Sequence, residues 1–245
     1  MIIHGVPLSQ PWRSVVWPCL IKRLPIKVEL AVPGMAKGRG TGSPKFLAKF
    51  PRGTVPALED GDLCLAEAPA ILTYMCRKHK WDDFYPEELQ VRAKIDEYLH
   101  WHHSNTRAIA GPYFAAAVRP DIVQSPEMIA MGRKKAEVAL QAIEDSFLGS
   151  SSKFMLGAST PTIADFMAYP EIAQIGPSFG DTADLTPFPH ILAWLEAMRQ
   201  VPCHDEVHTA LATLGKLDLE NPKNTIKLLG PATKAGMEAV AKAQE

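Results

Sequence analysis

Asp60-Gly61 stands between two short apolar runs, residues 55–58 and 63–65. An Asp-Gly pair supplies the backbone freedom of a two-residue hairpin turn, so the runs are predicted to be adjacent antiparallel strands. Glu67-Ala68-Pro69 follows this hairpin at once and opens a helix whose Ile71, Leu72, Met75 and Cys76 keep one face. Upstream, residues 1–4 and 26–31 read as β-strands, residues 11–23 as a helix with Pro11 in its first turn, and residues 44–50 as a short helix. The order over residues 1–80 is βαβαββα. Pro18 inside the first helix predicts a kink or an unpaired carbonyl. Residues 32–44 are rich in Gly and Pro, with Lys37 and Arg39 as their only charges. A loop of that length in a compact domain is commonly functional.

The rest of the chain changes character. Residues 80–86 form a short aromatic and acidic linker, and helical patterning dominates from residue 87. Ala136, Leu140, Ile143 and Phe147 recur at helical spacing, as do Ile191, Trp194, Leu195 and Met198. Both stripes read as core. Thr162-Ile163-Ala164-Asp165 has the form of a capping box, with Asp in place of Glu, and Pro170 predicts an early end or bend in the helix it starts. The expected architecture is therefore an α/β domain over residues 1–80 followed by an all-helical domain over residues 87–215. The tail, residues 216–245, carries Asn221-Pro222 and Gly230-Pro231 before a polar stretch of helical propensity, and by itself reads as a frayed terminus.

Charge narrows the function classes. With 26 basic and 27 acidic residues there is no net charge to recruit nucleic acid or an anionic membrane surface. Cys19, Cys64, Cys76 and Cys203 are scattered, form no CxxC and sit among apolar residues, as buried structural thiols do. No leader and no long apolar run stands in the sequence, so a soluble protein of a reducing compartment, the cytoplasm, is expected. His100, His102 and His103 do not share a helix face and lack a fourth ligand at a recognisable spacing, so no metal is expected.

The chemistry points to Val6-Pro7-Leu8-Ser9-Gln10-Pro11-Trp12-Arg13, where a strand ends and a helix begins. A helix N-terminus directs free N–H groups and a partial positive charge toward Ser9 and Gln10, a setting that favours a thiolate or carboxylate. Two readings stand at Ser9: a plain helix cap, the commoner role, or a residue that stabilises an anion. Trp12, Tyr113 and Phe114 are likewise either core or the wall of an apolar pocket.

The ordered set of motifs resembles the glutathione S-transferases, and within them the serine-type theta class. It runs through Leu8-Ser9-Gln10-Pro11 with Arg13, Gly53-Thr54-Val55-Pro56-Ala57-Leu58, Asp60-Gly61-Asp62, Glu67 and Ala70-Ile71-Leu72. It continues in Tyr85-Pro86, Leu89-Gln90, Arg92-Ala93, Asp96-Glu97-Tyr98-Leu99, Trp101-His102, Arg107 and Thr162-Ile163-Ala164-Asp165, covering roughly residues 1–215. The resemblance implies a thioredoxin-like N-terminal domain that binds glutathione as co-substrate, a helical domain that shapes an electrophile pocket, and a homodimer. It implies Ser9 as the catalytic hydroxyl, a cis Val55-Pro56 peptide, and glutathione contacts from Gln10, Lys37, Arg39, Thr54, Val55, Pro56, Glu67, Ala68 and Ser104. Leu8, Trp12, Arg107, Tyr113 and Phe114 would line the electrophile pocket, and the 216–245 tail would be a lid. Arg107 as a surface ion pair is the structural alternative.

Two departures stand out. Where relatives carry a Ser after the Glu, this chain has Ala68 followed by Pro69, and residues 32–44 lack the His of theta relatives. The implied reaction is conjugation of the glutathione thiolate to small electrophiles such as alkyl halides, epoxides or hydroperoxides. The alternatives are a catalytically weak protein-interaction module of the same fold, or a glutathione-dependent dehalogenase, lyase or isomerase.

Overall fold

The computed structural model describes residues 1–33, 40–119, 125–149 and 153–245. Its first part is β1 (Ile2–Gly5), α1 (Gln10–Ile21), β2 (Lys27–Leu30), α2 (Pro44–Lys49), β3 (Ala57–Asp60), β4 (Leu63–Ala66) and α3 (Ala68–His79), the expected βαβαββα order. The sheet runs β2-β1-β3-β4. β1 and β2 are parallel, while β3 is antiparallel to both β1 and β4. Gly61 takes φ +60° in the hairpin turn, a conformation that suits glycine.

Register decides what meets at each end of this sheet. Gly5 pairs with Leu30, His4 with Ala57, and Ala57 with Ala66. The chain leaving β1 toward Ser9, the chain leaving β2 toward Val32, the chain entering β3 through Val55-Pro56, and the start of α3 at Glu67 therefore all emerge at one end. The Val55-Pro56 peptide is cis.

The second part is helical. It comprises α4 (Leu89–Ser104), a 3-10 turn (Thr106–Ile109), a π-helical turn (Gly111–Ala115) and α5 (Ala116–Val118). Then come α6 (Pro126–Ala142), running on into a π-helical stretch (Ile143–Leu148), and α7 (Ile163–Ala173), α8 (Pro189–Arg199), α9 (His204–Leu214), α10 (Pro222–Ile226) and α11 (Leu229–Lys242). Every residue of α7 is buried. It packs against α1, where the Trp17 ring meets Phe166 and Tyr169 edge-on at 5.2 and 5.4 Å between centroids.

The Thr162 capping box is present. Its hydroxyl accepts from the Ala164 N–H, and Asp165 accepts from the Thr162 N–H at 2.8 Å. Pro170 does not end α7, which continues to Ala173. Burial on all sides outweighs the local cost of proline, a case of tertiary packing overriding propensity. Pro18 likewise lies inside an unbroken α1.

The cysteine expectation holds for Cys19 and Cys76, which are buried, and fails for Cys64, which is exposed, and Cys203, which is half-buried. Cys64 lies on β4, an edge strand with only one neighbour, which leaves it open to solvent. The tail is a helix seated on α9, and the Gln244 side chain accepts a hydrogen bond from the Ile26 N–H at 3.0 Å. Among the described residues no helix is long and apolar enough to cross a membrane.

Candidate active site

At the end of the sheet where the four connections converge lies a cavity of about 280 Å³. Val6, Leu8, Ser9 and Gln10 line it from the β1–α1 turn, and Val32 and Pro33 from the segment after β2. Arg107, Ala110, Phe114, Ala115, Val118 and Arg119 contribute from the helical part, and Leu229 and Thr233 from α11. Apolar groups dominate this surface, with Ser9, Gln10, Thr233 and two arginines as its polar elements.

Ser9 stands at the N-cap position of α1, with φ −77° and ψ 122°, yet its hydroxyl makes no capping hydrogen bond. The backbone alone closes the turn: Ser9 N–H donates to Val6 at 2.8 Å, and the Ser9 carbonyl accepts from Arg13 N–H at 3.1 Å. A hydroxyl not used by its own helix is available to a ligand. Pro11 in the first turn needs no N–H partner.

Beneath Ser9 lies a buried polar network. Arg13 is fully buried and donates to the carbonyls of Pro7 at 2.9 Å and Pro170 at 3.2 Å. Arg107 Nη1 donates to both carboxylate oxygens of Glu171, at 3.0 and 3.2 Å, and to Gln10 Oε1 at 3.2 Å. Gln10 Nε2 donates to Gln174 Oε1 at 2.7 Å. Burial drives both ions toward their neutral forms, pushing Arg13 down to about 9 and Glu171 up to about 6. Their mutual attraction, with Arg107 adding to it at Glu171, opposes that shift.

Of the residues singled out in the sequence, Leu8, Ser9, Gln10, Arg107 and Phe114 do line the cavity. Trp12 does not: it is wholly buried, its ring so close to Gly5 that a Cβ there would fall 2.1 Å from Trp12 Cδ1. It is core, and glycine at position 5 makes room for it. Tyr113 also points elsewhere, with the Arg133 guanidinium 5.4 Å from its ring centre. Neighbours on a helical turn face different ways, so Phe114 enters the cavity and Tyr113 leaves it.

Ser104 is exposed at the end of α4, away from the cavity. Thr54 is exposed, Val55 half-buried and Pro56 buried at the entry to β3. Glu67 adopts φ +71° before α3, with its exposed carboxylate 3.8 Å from Arg52 Nε, and Ala68 is buried. Lys37 and Arg39 lie outside the described residues. His102 is buried against Tyr98, and among the described residues no group of three His, Cys, Asp or Glu side chains is placed to hold a metal ion.

Glu171 and Gln174 were not anticipated from the sequence, nor were the lining residues Val6, Val32, Pro33, Ala110, Ala115, Val118 and Arg119; the tail was expected as a lid, but not which of its residues would reach the cavity. Glu171 carried a signal: an acid past the first turn of a largely apolar helix, where no capping role explains it, must find a buried partner. Leu229 and Thr233 lie in the tail expected as a lid, but nothing in the sequence picked them out within it, because their place depends on how the tail packs.

Comparison with known proteins places the sequence and the fold. The family described as glutathione S-transferase, N-terminal domain, matches residues 8–77. Glutathione S-transferase theta-2 of Homo sapiens is 39% identical over 171 residues, 68% of this chain and 68% of that protein. Glutathione S-transferase T2 of Arabidopsis thaliana is 34% identical over 220 residues, 85% of this chain; the match spans only 36% of that relative's length. Among solved structures, human glutathione transferase theta-2 in complex with glutathione and an unknown ligand superposes with a TM-score of 0.76 at 29% identity, covering 98% of each chain.

Proposed function

The chain belongs to the glutathione S-transferase family, closely related to its theta class, and from that premise we propose that Ser9 donates a hydrogen bond to the thiolate of glutathione, its co-substrate. The observation that carries this is the Ser9 hydroxyl, spared from capping α1 and set in the wall of an apolar cavity. A thiol with a pKa of about 8.5 is only a few per cent ionised near neutrality. A hydrogen bond to a charged acceptor contributes roughly 1.5 to 3 kcal/mol, which lowers the thiol pKa by about one to two units. The α1 N-terminus adds to the same effect.

The thiol proton leaves to solvent and the sulfur attacks a soft electrophile held in the cavity. With an alkyl halide a C–S bond forms as the halide departs with the bonding pair; with an epoxide the C–O bond breaks and the alkoxide takes a proton. With a hydroperoxide the sulfur takes the terminal oxygen, an alcohol leaves, and a second glutathione reduces the sulfenic acid. Glu67 accepts the γ-glutamyl ammonium and the Ala68 N–H meets the carboxylate, at the sheet end where Val55-Pro56 also emerges. The 216–245 segment acts as a lid, since Leu229 and Thr233 of α11 complete the cavity wall. The working protein is a cytoplasmic homodimer, a reading supported by family membership and by four cysteines that form no disulfide.

Ser9→Ala tests the assignment. It is expected to lower kcat near neutral pH by about 8- to 25-fold, the gain in thiolate fraction that a shift of one to two units gives, while glutathione affinity, measured by calorimetric titration, falls by no more than about fourfold. Full turnover in the variant overturns the assignment.

A further inference from the structure

Glu171 is not among the residues lining the cavity, and its side chain is 1% exposed. Its carboxylate nevertheless holds the Arg107 guanidinium, which does line the cavity and is 41% exposed. The same Arg107 nitrogen donates to Gln10, Gln10 donates to Gln174, and Gln174 Nε2 returns to the Glu171 carbonyl at 3.3 Å. Four residues, from α1, the 3-10 turn, α7 and the position just past its end, thus form a circuit that closes through the Glu171 carbonyl. Gln10 directly follows Ser9. On the other side of Ser9, the Pro7 carbonyl is held by Arg13, whose guanidinium also reaches the Pro170 carbonyl and interacts electrostatically with Glu171.

The turn bearing Ser9 is therefore tied to α7 at both ends. A buried carboxylate is costly unless paired, and packing alone would be served as well by an apolar residue. Glu171 instead pairs directly with the Arg107 guanidinium and attracts that of Arg13 electrostatically, so its position sets that of Arg107.

We propose that Glu171 is a positioning residue for the transfer reaction, fixing Arg107 in the cavity wall and, through Gln10, the turn that presents the Ser9 hydroxyl. The inference rests on the Ser9 reading. Displacing a reacting group by about 1 Å costs on the order of 100-fold in rate, so a residue that touches no substrate governs kcat in this way.

The experiment measures steady-state conjugation of glutathione to a primary alkyl iodide, with thiolate absorbance of bound glutathione as a second readout. Glu171→Ala, Glu171→Gln and Gln174→Leu are each made alone and together with Ser9→Ala. Glu171→Ala is expected to lower kcat at least about tenfold and reduce bound thiolate, with the KM for glutathione within about twofold. Glu171→Gln, which keeps an acceptor for Arg107, recovers most of the loss. In the Ser9→Ala background Glu171→Ala costs less than about twofold, because the two act on one event. Gln174→Leu breaks the circuit without stranding a charge and gives the same pattern where Glu171→Ala does not fold.

Unchanged kcat in folded Glu171→Ala or Gln174→Leu overturns the inference. So does an equal loss with and without Ser9 when Ser9→Ala is itself impaired. Full turnover by Ser9→Ala alone instead overturns the Ser9 reading, and with it the route by which Glu171 acts.

Discussion

At the scale of single residues, burial decides which polar groups work as ions and which are held neutral. His102 lies on α4 with its Nδ1 3.3 Å from the Tyr98 hydroxyl, and burial pushes its imidazole down to about 3. A base whose folded pKa lies below its unfolded value of about 6.5 resists protonation in the fold. Its neutral form contributes stability that is complete above pH 6.5 and is lost as the pH falls below it. Between pH 7.5 and pH 5 that loss is on the order of 2 kcal/mol. Asp165 and Glu171, pushed up to about 6, act in the opposite direction over part of this window. They are common to His102→Phe, so urea unfolding of the two proteins at both pH values isolates the histidine. The wild type is expected to lose about 2 kcal/mol more than the variant. The spacing of His100, His102 and His103 said only that they do not share a helix face; that His102 is the buried one was set by what α4 packs on. That Trp12 is core and Phe114 cavity was not legible either, because an aromatic side chain in either place satisfies the same apolar pattern.

Elements differ in how much of their structure is local. The β3–β4 hairpin is written in Asp60-Gly61-Asp62, where Asp60 pairs with Leu63 and Gly61-Asp62 form the two-residue loop, one position later than the Asp-Gly pair suggests. The start of α7 is written in Thr162 and Asp165, since turn and cap chemistry are properties of a few adjacent residues. Asp165 does more than its motif states. Beyond the Thr162 cap, its Oδ1 accepts from the Met155 N–H at 2.9 Å and from the Trp194 indole N–H at 2.9 Å, tying α7 to α8. Asp165→Ala leaves these buried donors without an acceptor, and each unsatisfied group costs about 1 to 3 kcal/mol. The variant is expected to lose roughly 3 kcal/mol or more, read from the urea midpoint at constant slope. Asp165→Asn, which keeps an acceptor, should lose distinctly less. The path through Pro170 and the π-helical turn at Gly111–Ala115 were not legible, because both are set by the surfaces on which those helices pack.

At the scale of the whole molecule, the site exists only because segments far apart in sequence end at one place. Sheet register brings the turns before α1, β3 and α3 together, and the helical part adds Arg107 and Phe114. The order of elements was enough to anticipate that convergence, and the family resemblance suggested the tail as a lid, but neither said that α11 would supply the last wall through Leu229 and Thr233. Gly236 is what lets α11 approach: a Cβ there would lie 2.7 Å from Pro7 Cβ and 2.8 Å from Ala210 Cβ. Neither neighbour is a flexible side chain, so a larger residue must push the helix away from the β1–α1 turn. Gly236→Val should therefore draw Leu229 and Thr233 back from the cavity without altering Ser9 itself. Losing the contact of one or two methylene-sized groups, at about 0.8 kcal/mol each, weakens a bound electrophile by roughly 4- to 15-fold. The expected result is a rise of that size in the KM for an apolar electrophile, an unchanged KM for glutathione, and a kcat equal to or above wild type if lid opening limits product release. Deleting residues 217–245 should give the same pattern with a larger loss of stability, because it also removes the buried Ala232 and Val240. Unchanged kinetics in both variants would reduce α11 to a buttress for α9, and the lid would be no part of the reaction.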